Sequence, residues 1–327
     1  MAITIKDLVA ETGLCAGTIS AYLNGKEIKP ENKKIIRKAI IKTGYIRNEN
    51  ARILKAHASK TIGVLIPELS SNFATTIISF MEDELRKIGY GIIVCDCHSD
   101  KTLERQAVSS LVSKMVDGLI IMPSAEDNSI FDLPKSRNMP IVVIDRYLQD
   151  EGIGQVVINN REVSRQAVEN MIKKGKKNIA VIHGGMKVYT SRERFAGYKE
   201  AMEKHGLKTE GMAVDGQYTI EGGYLAMKKL LDENRNLDGV FVINYDMTLG
   251  AMFALKEWEK KPDSKIMFTG FDLDSLIKVI DQKVQIVDQP LKEIGISAAR
   301  LIIQSIKGES SEDIILKATI SNNFEKD

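Results

Sequence analysis

From residue 61 onward, short apolar runs alternate with longer amphipathic segments, and this alternation restricts the chain to very few folds. Each run is short, with two to four apolar residues, and most runs are rich in Val and Ile and bounded by Gly, Pro, Asn or Asp. The nine runs are TIGVLIP (61–67), GIIVC (91–95), GLIIMP (118–123), PIVVID (140–145), GQVVIN (154–159), NIAVIHG (178–184), GVFVIN (239–244), KIMFTGFD (265–272) and QIVD (285–288). Such runs predict fully buried strands of parallel sheets.

Amphipathic segments separate the runs and predict helices. Examples cover residues 72–88, 102–115, 162–174, 192–205 and 220–231. Alternating strands and helices predict a doubly wound α/β fold, and nine strands over this length indicate two such sheets.

Polar side chains follow several of the predicted strands. Asp145-Arg146 closes the fourth run, Asn244-Tyr245-Asp246 the seventh and Asp272 the eighth, while Gly184-Gly185 follows the sixth. Open α/β sheets bind ligands at the carboxyl ends of their strands. Carboxylate, amide and guanidinium groups there suit a hydroxyl-rich ligand. The alternative is that each Asp or Asn only caps the helix that follows it.

The first 46 residues have a different pattern, typical of three short helices. Thr4 and Asp7 fit a capping box, and Gly13 suits a sharp turn between the first helix and a second one near 15–23. Pro30 suits the first position of a third helix that ends at Gly44. Two short helices around a glycine turn, followed by a third, predict a helix-turn-helix module. A small helical bundle without a ligand is the alternative.

Charge is distributed unevenly along the chain. Residues 1–60 contain 12 Lys and Arg against 5 Asp and Glu, whereas the remaining residues contain 34 basic and 39 acidic groups. A basic head on an acidic body favours a nucleic-acid module joined to a different domain. Three cysteines, no long apolar run and no signal-peptide pattern favour a cytoplasmic protein without a membrane span.

Two patterns that could indicate chemistry are weak. Cys95-Asp96-Cys97-His98 offers metal-ligand residue types, but adjacent residues of a strand point to opposite faces and no second cluster completes the ligand set. Cys95 is expected in the core, and no metal or other cofactor is expected. Phosphate-binding glycine motifs and a nucleophile arrangement are absent from the sequence, so we do not expect an enzyme.

These motifs together resemble the lactose-repressor/galactose-repressor (LacI/GalR) family of transcription factors over nearly the whole chain. TIKDLVAETGL and YLNG are similar to the family's head, and TIGVLIP, VDGLIIMP, VIDR, GFD and VDQPLKEIG recur in the family's order. The resemblance implies a helix-turn-helix domain at 1–46 and a hinge at 47–60. It also implies a core of two subdomains like those of periplasmic sugar-binding proteins, at 61–159 with 288–316 and at 160–287 with 317–327.

The resemblance also implies the binding residues of the core. The positions matching the family's effector contacts are Phe73, Asp145, Arg146, Arg194, Asn244 and Asp272. Phe73 lies in a loop that is one residue shorter than in the family. Tyr245 replaces an Asp that usually follows the asparagine. A sugar is the expected effector, bound between the two subdomains.

The recognition helix departs from what base recognition requires. By resemblance Ala16, Gly17 and Ala21 occupy the base-contacting positions, yet none can make the bidentate hydrogen bonds that discriminate guanine or adenine. The hinge residue Leu54 matches the family's minor-groove wedge, so we expect discrimination at the operator centre and tolerant flanks. The other expected DNA contacts are Thr4, Thr18, Ser20, Tyr22, Asn24, Lys26, Lys29, Asn48, Ala51, Arg52 and Lys55.

The sequence therefore predicts a homodimeric, ligand-controlled repressor that binds a palindromic operator in double-stranded DNA. A solute-binding protein and an α/β enzyme with a helical appendage are the alternatives from other classes. Within the regulator class, control by a phosphorylated partner protein is an alternative to control by a free sugar.

Overall fold

The computed structural model describes residues 3–45, 58–124, 126–148, 150, 152–233, 236–258, 266–272, 284–310 and 312–322. The chain forms two compact units, residues 1–59 and 60–327.

The first unit is a bundle of three helices. They are α1 (Ile5–Thr12), α2 (Ala16–Leu23) and α3 (Pro30–Thr43). At the start of α1, the backbone N–H and the hydroxyl of Thr4 both donate to Asp7 Oδ2 at 2.7 Å, which orders the first turn. Gly13 and Gly44 end α1 and α3 with φ of 68° and 67°, in the left-handed region that glycine adopts without a steric cost.

A small apolar core holds the three helices together. Leu8 from α1, Ile19 from α2 and Ile36 from α3 are fully buried, and Leu23 packs against them. Each helix is too short to be stable alone, so this shared core fixes the bundle.

The second unit contains two six-stranded sheets. The strands are β1 (Thr61–Ile66), β2 (Gly91–Asp96), β3 (Gly118–Ile121), β4 (Ile141–Ile144), β5 (Gly154–Ile158), β6 (Ile179–His183), β7 (Ala213–Asp215), β8 (Gly239–Val242), β9 (Met267–Phe271), β10 (Val284–Asp288), β11 (Ile314–Leu316) and β12 (Thr319–Asn322). The first sheet has the order β11-β5-β4-β3-β1-β2, and the second has the order β12-β10-β9-β8-β6-β7. All neighbours are parallel except β10 and β12. The predicted doubly wound α/β class is confirmed.

Helices separate the strands of both sheets. They are α4 (Asn72–Lys87), α5 (Lys101–Ser113), α6 (Asp132–Ser136), α7 (Asn160–Lys173), α8 (Tyr189–Lys204), α9 (Ile220–Glu233), α10 (Tyr245–Trp258) and α11 (Leu291–Ile306), with a 3-10 turn at Asn128–Phe131. None of the helices in the described part of the chain has the length and apolar character needed to cross a membrane.

All nine predicted strands form, but the prediction was incomplete at the sheet edges. Strands β7, β11 and β12 were missed because they have only three or four residues and are only partly buried. Strand β2 is also an edge strand, and its residues are half-buried, so its description as fully buried was wrong. An edge strand has one neighbour and less cover, which weakens the apolar signal.

The chain passes between the two sheets three times. The first sheet takes its strands from 61–158 and 314–316, and the second takes them from 179–288 and 319–322. The crossings therefore fall near residues 159, 289 and 317, close to the subdomain limits expected from the sequence. The exact boundaries stay a prediction.

Candidate functional site

A cavity of about 480 Å³ lies where the carboxyl ends of strands from both sheets meet. The segments that follow β1, β3 and β4 form one wall, and those that follow β7, β8 and β9 form the other. This is the position that parallel α/β sheets offer to ligands, because the loops at their carboxyl ends converge there. All six residues expected to contact an effector line this cavity: Phe73, Asp145, Arg146, Arg194, Asn244 and Asp272. Their role in binding stays a prediction.

The backbone around the cavity adopts sparsely populated conformations. Nine non-glycine residues in the described part of the chain have positive φ, and five of them line the cavity. These are Ser99, Asp145, Gln217, Tyr218 and Asp272, with φ between 54° and 70°. Each such residue costs about 1 to 3 kcal/mol, and surrounding structure must hold it. Their concentration here means that the turns at the strand ends are shaped to aim these side chains.

Arg194 is the central cation of the cavity. It lies on α8 and is only 4% exposed. Its Nε donates to Asn160 Oδ1 and its Nη1 to the Ile243 carbonyl, both at 2.7 Å, while the guanidinium lies 4.0 Å from the centre of the Phe271 ring. Burial lowers the pKa of Arg194, and the nearby carboxylates of Asp145 and Asp272 oppose that shift. The guanidinium is therefore fixed in place before any ligand arrives.

Two buried carboxyl groups face this cation. Burial raises the pKa of Asp145, against the favourable charges of Arg146 and Arg194. Burial also raises the pKa of Asp272 to about 6, although Arg194 and Gln289 favour its ionised form. Gln289 Nε2 donates to Asp272 Oδ2 at 2.7 Å. At both groups, burial raises the pKa more than the neighbouring charges and hydrogen bonds lower it. A ligand that donates hydrogen bonds would therefore stabilise their ionised forms.

Arg146 has unused hydrogen-bonding capacity. Its side chain is 12% exposed, and Nε lies 3.8 Å from Asp145 Oδ2, too far for a hydrogen bond. Its buried Nε and Nη1 find no hydrogen-bond partner among the described residues. Leaving buried donors unpaired costs free energy, so these atoms suit acceptor oxygens of a ligand.

Asn244 both caps a helix and lines the cavity. Its Oδ1 accepts from the backbone N–H of Met247 at 3.0 Å, so it caps α10, as the alternative interpretation of strand-end asparagines expected. Since it also lines the cavity, its Nδ2 amide is the group that remains for a ligand. Capping and lining are thus compatible at one position.

The sequence did not identify Gln217, Tyr218 and Gln289 as site residues, although all three line the cavity. Tyr218 follows the short strand β7, which the apolar pattern missed. The glycine pair that follows β6 was the sequence signal that could have pointed to this tyrosine. In the structure, a Cβ at Gly184 would lie 2.2 Å from the Tyr218 ring. Gly184 therefore makes room for this tyrosine.

The Cys95-Asp96-Cys97-His98 run separates into different environments. Cys97, not Cys95, is the fully buried cysteine, so the expectation for Cys95 is corrected; Cys95 is half-buried on the edge strand β2. Burial raises the pKa of the Cys97 thiol to about 11. Asp96, His98 and Glu68 have ligand atoms within 4.8 Å of one another. Asp96 accepts hydrogen bonds from the backbone N–H groups of Leu69 and His98. These bonds order the adjoining loops and account for an aspartate at this position.

In the helical unit, the expected recognition positions lie on α2 and around it. Ala16, Gly17 and Asn24 are exposed, and Ala21 is half-buried. Cys15 precedes α2 without a side-chain cap, and its thiol lies 3.1 Å from the Thr18 hydroxyl. That hydrogen bond lowers the pKa of the Cys15 thiol.

The remaining expected DNA contacts are partly engaged with the protein. Asn24 Nδ2 donates to the Ser20 carbonyl at 2.8 Å, and Tyr22 packs on the core of the unit. Thr4, Lys26 and Lys29 are exposed. The expected hinge contacts Asn48, Ala51, Arg52, Leu54 and Lys55 lie outside the described residues.

Comparison with known proteins identifies the family. Residues 59–326 match the model of periplasmic binding proteins and the sugar-binding domain of the LacI family. The HTH-type transcriptional regulator RegA of Clostridium saccharobutylicum is 30% identical, with 96% of this chain and 95% of RegA covered. Catabolite control protein A of Priestia megaterium is 28% identical, with 97% and 96% covered.

A solved structure supports the same fold. The crystal structure of the lac repressor dimer bound to operator and an anti-inducer has a TM-score of 0.85 and 21% identity, and 98% of each chain is covered. RegA is by its name an HTH-type transcriptional regulator. The chain therefore belongs to the LacI family of transcriptional regulators.

Proposed function

We propose that this regulator is a repressor whose binding to operator DNA is controlled by a sugar held in the cavity between the two sheets. The observation that carries the proposal is the convergence of Asp145, Arg146, Arg194 and Asp272 on one cavity in a chain that begins with a helix-turn-helix bundle. Carboxylates and guanidinium groups together accept from and donate to hydroxyls in fixed directions. A sugar uses both capacities.

The cavity is built for a ligand that bridges its two walls. Asp145 and Arg146 follow a strand of the first sheet, and Asp272 follows a strand of the second. A ligand that contacts both walls binds the closed arrangement more tightly than an open one. Such a difference in affinity is what a ligand needs in order to shift a conformational equilibrium.

The DNA-binding part of the proposal depends on the head and the hinge. The exposed positions Ala16 and Gly17 offer no base-specific hydrogen bonds, while the exposed Lys26 and Lys29 can attract phosphates. We therefore assign operator discrimination largely to Leu54, acting as a wedge at the centre of a palindrome. Bases in the outer half-sites are tolerated.

Two helices of the second unit offer a surface for a homodimer. Ile220 and Leu225 on α9 and Phe253 on α10 are 43%, 55% and 54% exposed. Exposed large apolar side chains on two closely packed helices are typical of interaction surfaces. We propose that they form the two-fold interface, which matches the palindromic operator. Leu225→Asp should then shift the protein from dimer to monomer in sedimentation velocity.

A thermal-shift screen of sugars, followed by operator binding with each hit, tests the proposed function. A ligand at 100 times its Kd should stabilise the folded protein by about 2.7 kcal/mol. The expected result is that one class of sugar raises the melting temperature and changes operator affinity. Stabilisation without any effect on DNA binding would contradict the proposal.

The hinge assignment is tested separately with Leu54→Gln. This variant should lose most operator affinity, because a polar side chain gains nothing from insertion between unstacked bases. The matched control is Leu133→Gln on α6, a similar exchange at a side chain that is 37% exposed. Full operator affinity in Leu54→Gln would refute the assignment, as would a strong dependence on outer guanines with no dependence on the central step.

A further inference from the structure

We infer that the sugar bound by the cavity carries an ammonium group, as an amino sugar does, and that Glu68 and Asp246 hold this group. The inference rests on the proposed function, since it specifies the ligand of the same cavity. It follows from how charge is distributed between the deep part of the cavity and the two residues at its rim.

In the deep part of the cavity, opposite charges balance. Asp145 and Asp272 face Arg146 and Arg194, giving two carboxylates and two guanidinium groups. Arg194 is already committed to Asn160 and to the Ile243 carbonyl. The unpartnered nitrogens of Arg146 carry a charge that Asp145 offsets, so they suit neutral hydroxyl oxygens. This part of the cavity offers no surplus positive charge to an anionic ligand.

Two further carboxylates line the cavity, one on each wall. Glu68 follows β1 of the first sheet, and Asp246 is the second residue of α10, after β8 of the second sheet. Burial and the charge of Glu68 both raise the pKa of Asp246. Among the described residues that line the cavity, no lysine or histidine offsets this pair. His98 lies 3.6 Å from Glu68 but is itself exposed.

With every carboxyl ionised, the described residues that line the cavity therefore carry a formal excess of two negative charges. A sugar phosphate or a uronic acid would add negative charge where the repulsion between Glu68 and Asp246 is already unfavourable. An ammonium group between the two carboxylates would remove that repulsion and form charge-assisted hydrogen bonds to both walls. The same contact would connect the two walls, which links recognition of the amine to closure of the cavity.

The test compares matched sugars by titration calorimetry. The probes are glucose, galactose and mannose, each with its 2-amino form, its N-acetylated amine, its uronic acid and its 6-phosphate. We expect one amino sugar to bind at least tenfold more tightly than its neutral parent. The N-acetylated form should lose this advantage, because it keeps the nitrogen and loses the charge.

Variants separate charge recognition from general damage. In Glu68→Gln and in Asp246→Asn, the ratio of amino-sugar affinity to parent-sugar affinity should fall at least threefold, whereas Glu203→Gln on the exposed end of α8 should leave it unchanged. A misfolded variant would lose both affinities and would not move the ratio selectively.

The outcomes distinguish this inference from the proposed function. Binding of a neutral, acidic or phosphorylated sugar as tightly as its amino counterpart would overturn the inference and leave the proposed function intact. Binding of none of the probes, with operator affinity unaffected by any of them, would overturn both.

Discussion

At the scale of single residues, the charges of the cavity depend on Arg194. Its guanidinium donates two hydrogen bonds of 2.7 Å to the protein, and it faces Asp145 and Asp272. Burying any one of these charges alone would cost much free energy, but burying them together costs less because opposite charges offset one another. The site thus depends for its stability on the same contacts that prepare it for a ligand.

Replacing Arg194 with Met should therefore destabilise the protein strongly. The variant leaves Asp272 without its main cation and Asp145 without one of its two, which costs about 3 to 5 kcal/mol. Urea denaturation measures the change in the free energy of unfolding. Arg192→Met on the same helix is the control, because its side chain is 45% exposed, and it should cost less than about 1 kcal/mol. Equal effects of the two substitutions would contradict this account.

Asp272 should make stability depend on pH. Burial raises its pKa from 3.8 to about 6, so the folded protein binds this proton more tightly than the unfolded chain does. That stabilisation is complete below the unfolded pKa and is lost as the pH rises through 6. Asp272→Asn removes the dependence, so its stability relative to wild type should increase by about 2 kcal/mol between about pH 4 and about pH 7. A difference that stays constant over this range, measured by urea denaturation, would show that the carboxyl is not buried as described.

At the scale of elements, helices of the second unit pack closely where glycine removes a side chain. Gly223 on α9 and Gly250 on α10 lie at the crossing of these two helices. A Cβ at Gly250 would lie 1.8 Å from the Ile220 carbonyl oxygen, and one at Gly223 would lie 2.4 Å from the Met247 carbonyl oxygen. Close packing of these two helices, which carry the proposed dimer surface, therefore requires residues without a side chain at both positions.

Gly250→Ala should force α9 and α10 apart. Backbone atoms cannot move aside as a flexible side chain can, so we expect a loss of about 3 kcal/mol, at the upper end of overpacking costs. The loss should appear in urea denaturation, together with weaker dimerisation in sedimentation. Gly185→Ala is the control, because a Cβ there meets no atom within 4 Å. Unchanged stability in Gly250→Ala would mean that the two helices are less closely packed.

At the scale of the whole second unit, contacts join segments that follow strands of different sheets. Arg192 on α8 forms an ion pair at 2.9 Å with Glu126, which follows β3 of the first sheet. The rings of Tyr147, after β4, and Tyr189, at the start of α8, lie 6.1 Å apart. These contacts can form only while the walls are close together. They therefore favour the arrangement that encloses a ligand.

Breaking the ion pair should weaken ligand binding slightly. An exposed pair contributes up to about 1 kcal/mol, so Arg192→Gln and Glu126→Gln should each raise the ligand Kd by no more than about fivefold. Because both remove the same contact, the double variant should be no weaker than either single one. Calorimetry on the four proteins measures this coupling. Fully additive losses would indicate that each residue acts independently of the other.

The sequence by itself determined the elements with a strong local signal. The strands β1, β3, β4, β5 and β6 follow from Val- and Ile-rich runs, because burial on both faces requires apolar side chains at every position. The helix ends at Gly13 and Gly44 follow from a backbone conformation that glycine adopts freely. The strand ends also gave four of the residues that meet in the cavity, Asp145, Arg146, Asn244 and Asp272, because parallel strands bring their carboxyl ends to one edge.

Only the tertiary structure decided the features that depend on distant neighbours. Strands β7, β11 and β12 exist because a neighbouring strand supplies their hydrogen bonds, and three or four residues cannot encode that locally. Cys97 is fully buried and Cys95 is half-buried, because burial depends on what packs over each position and not on residue type. Glu68 and Asp246 lie 178 positions apart in the sequence and line one cavity only because the two sheets face each other. Proximity of this kind is a property of the packed chain, since no local preference of either residue specifies it.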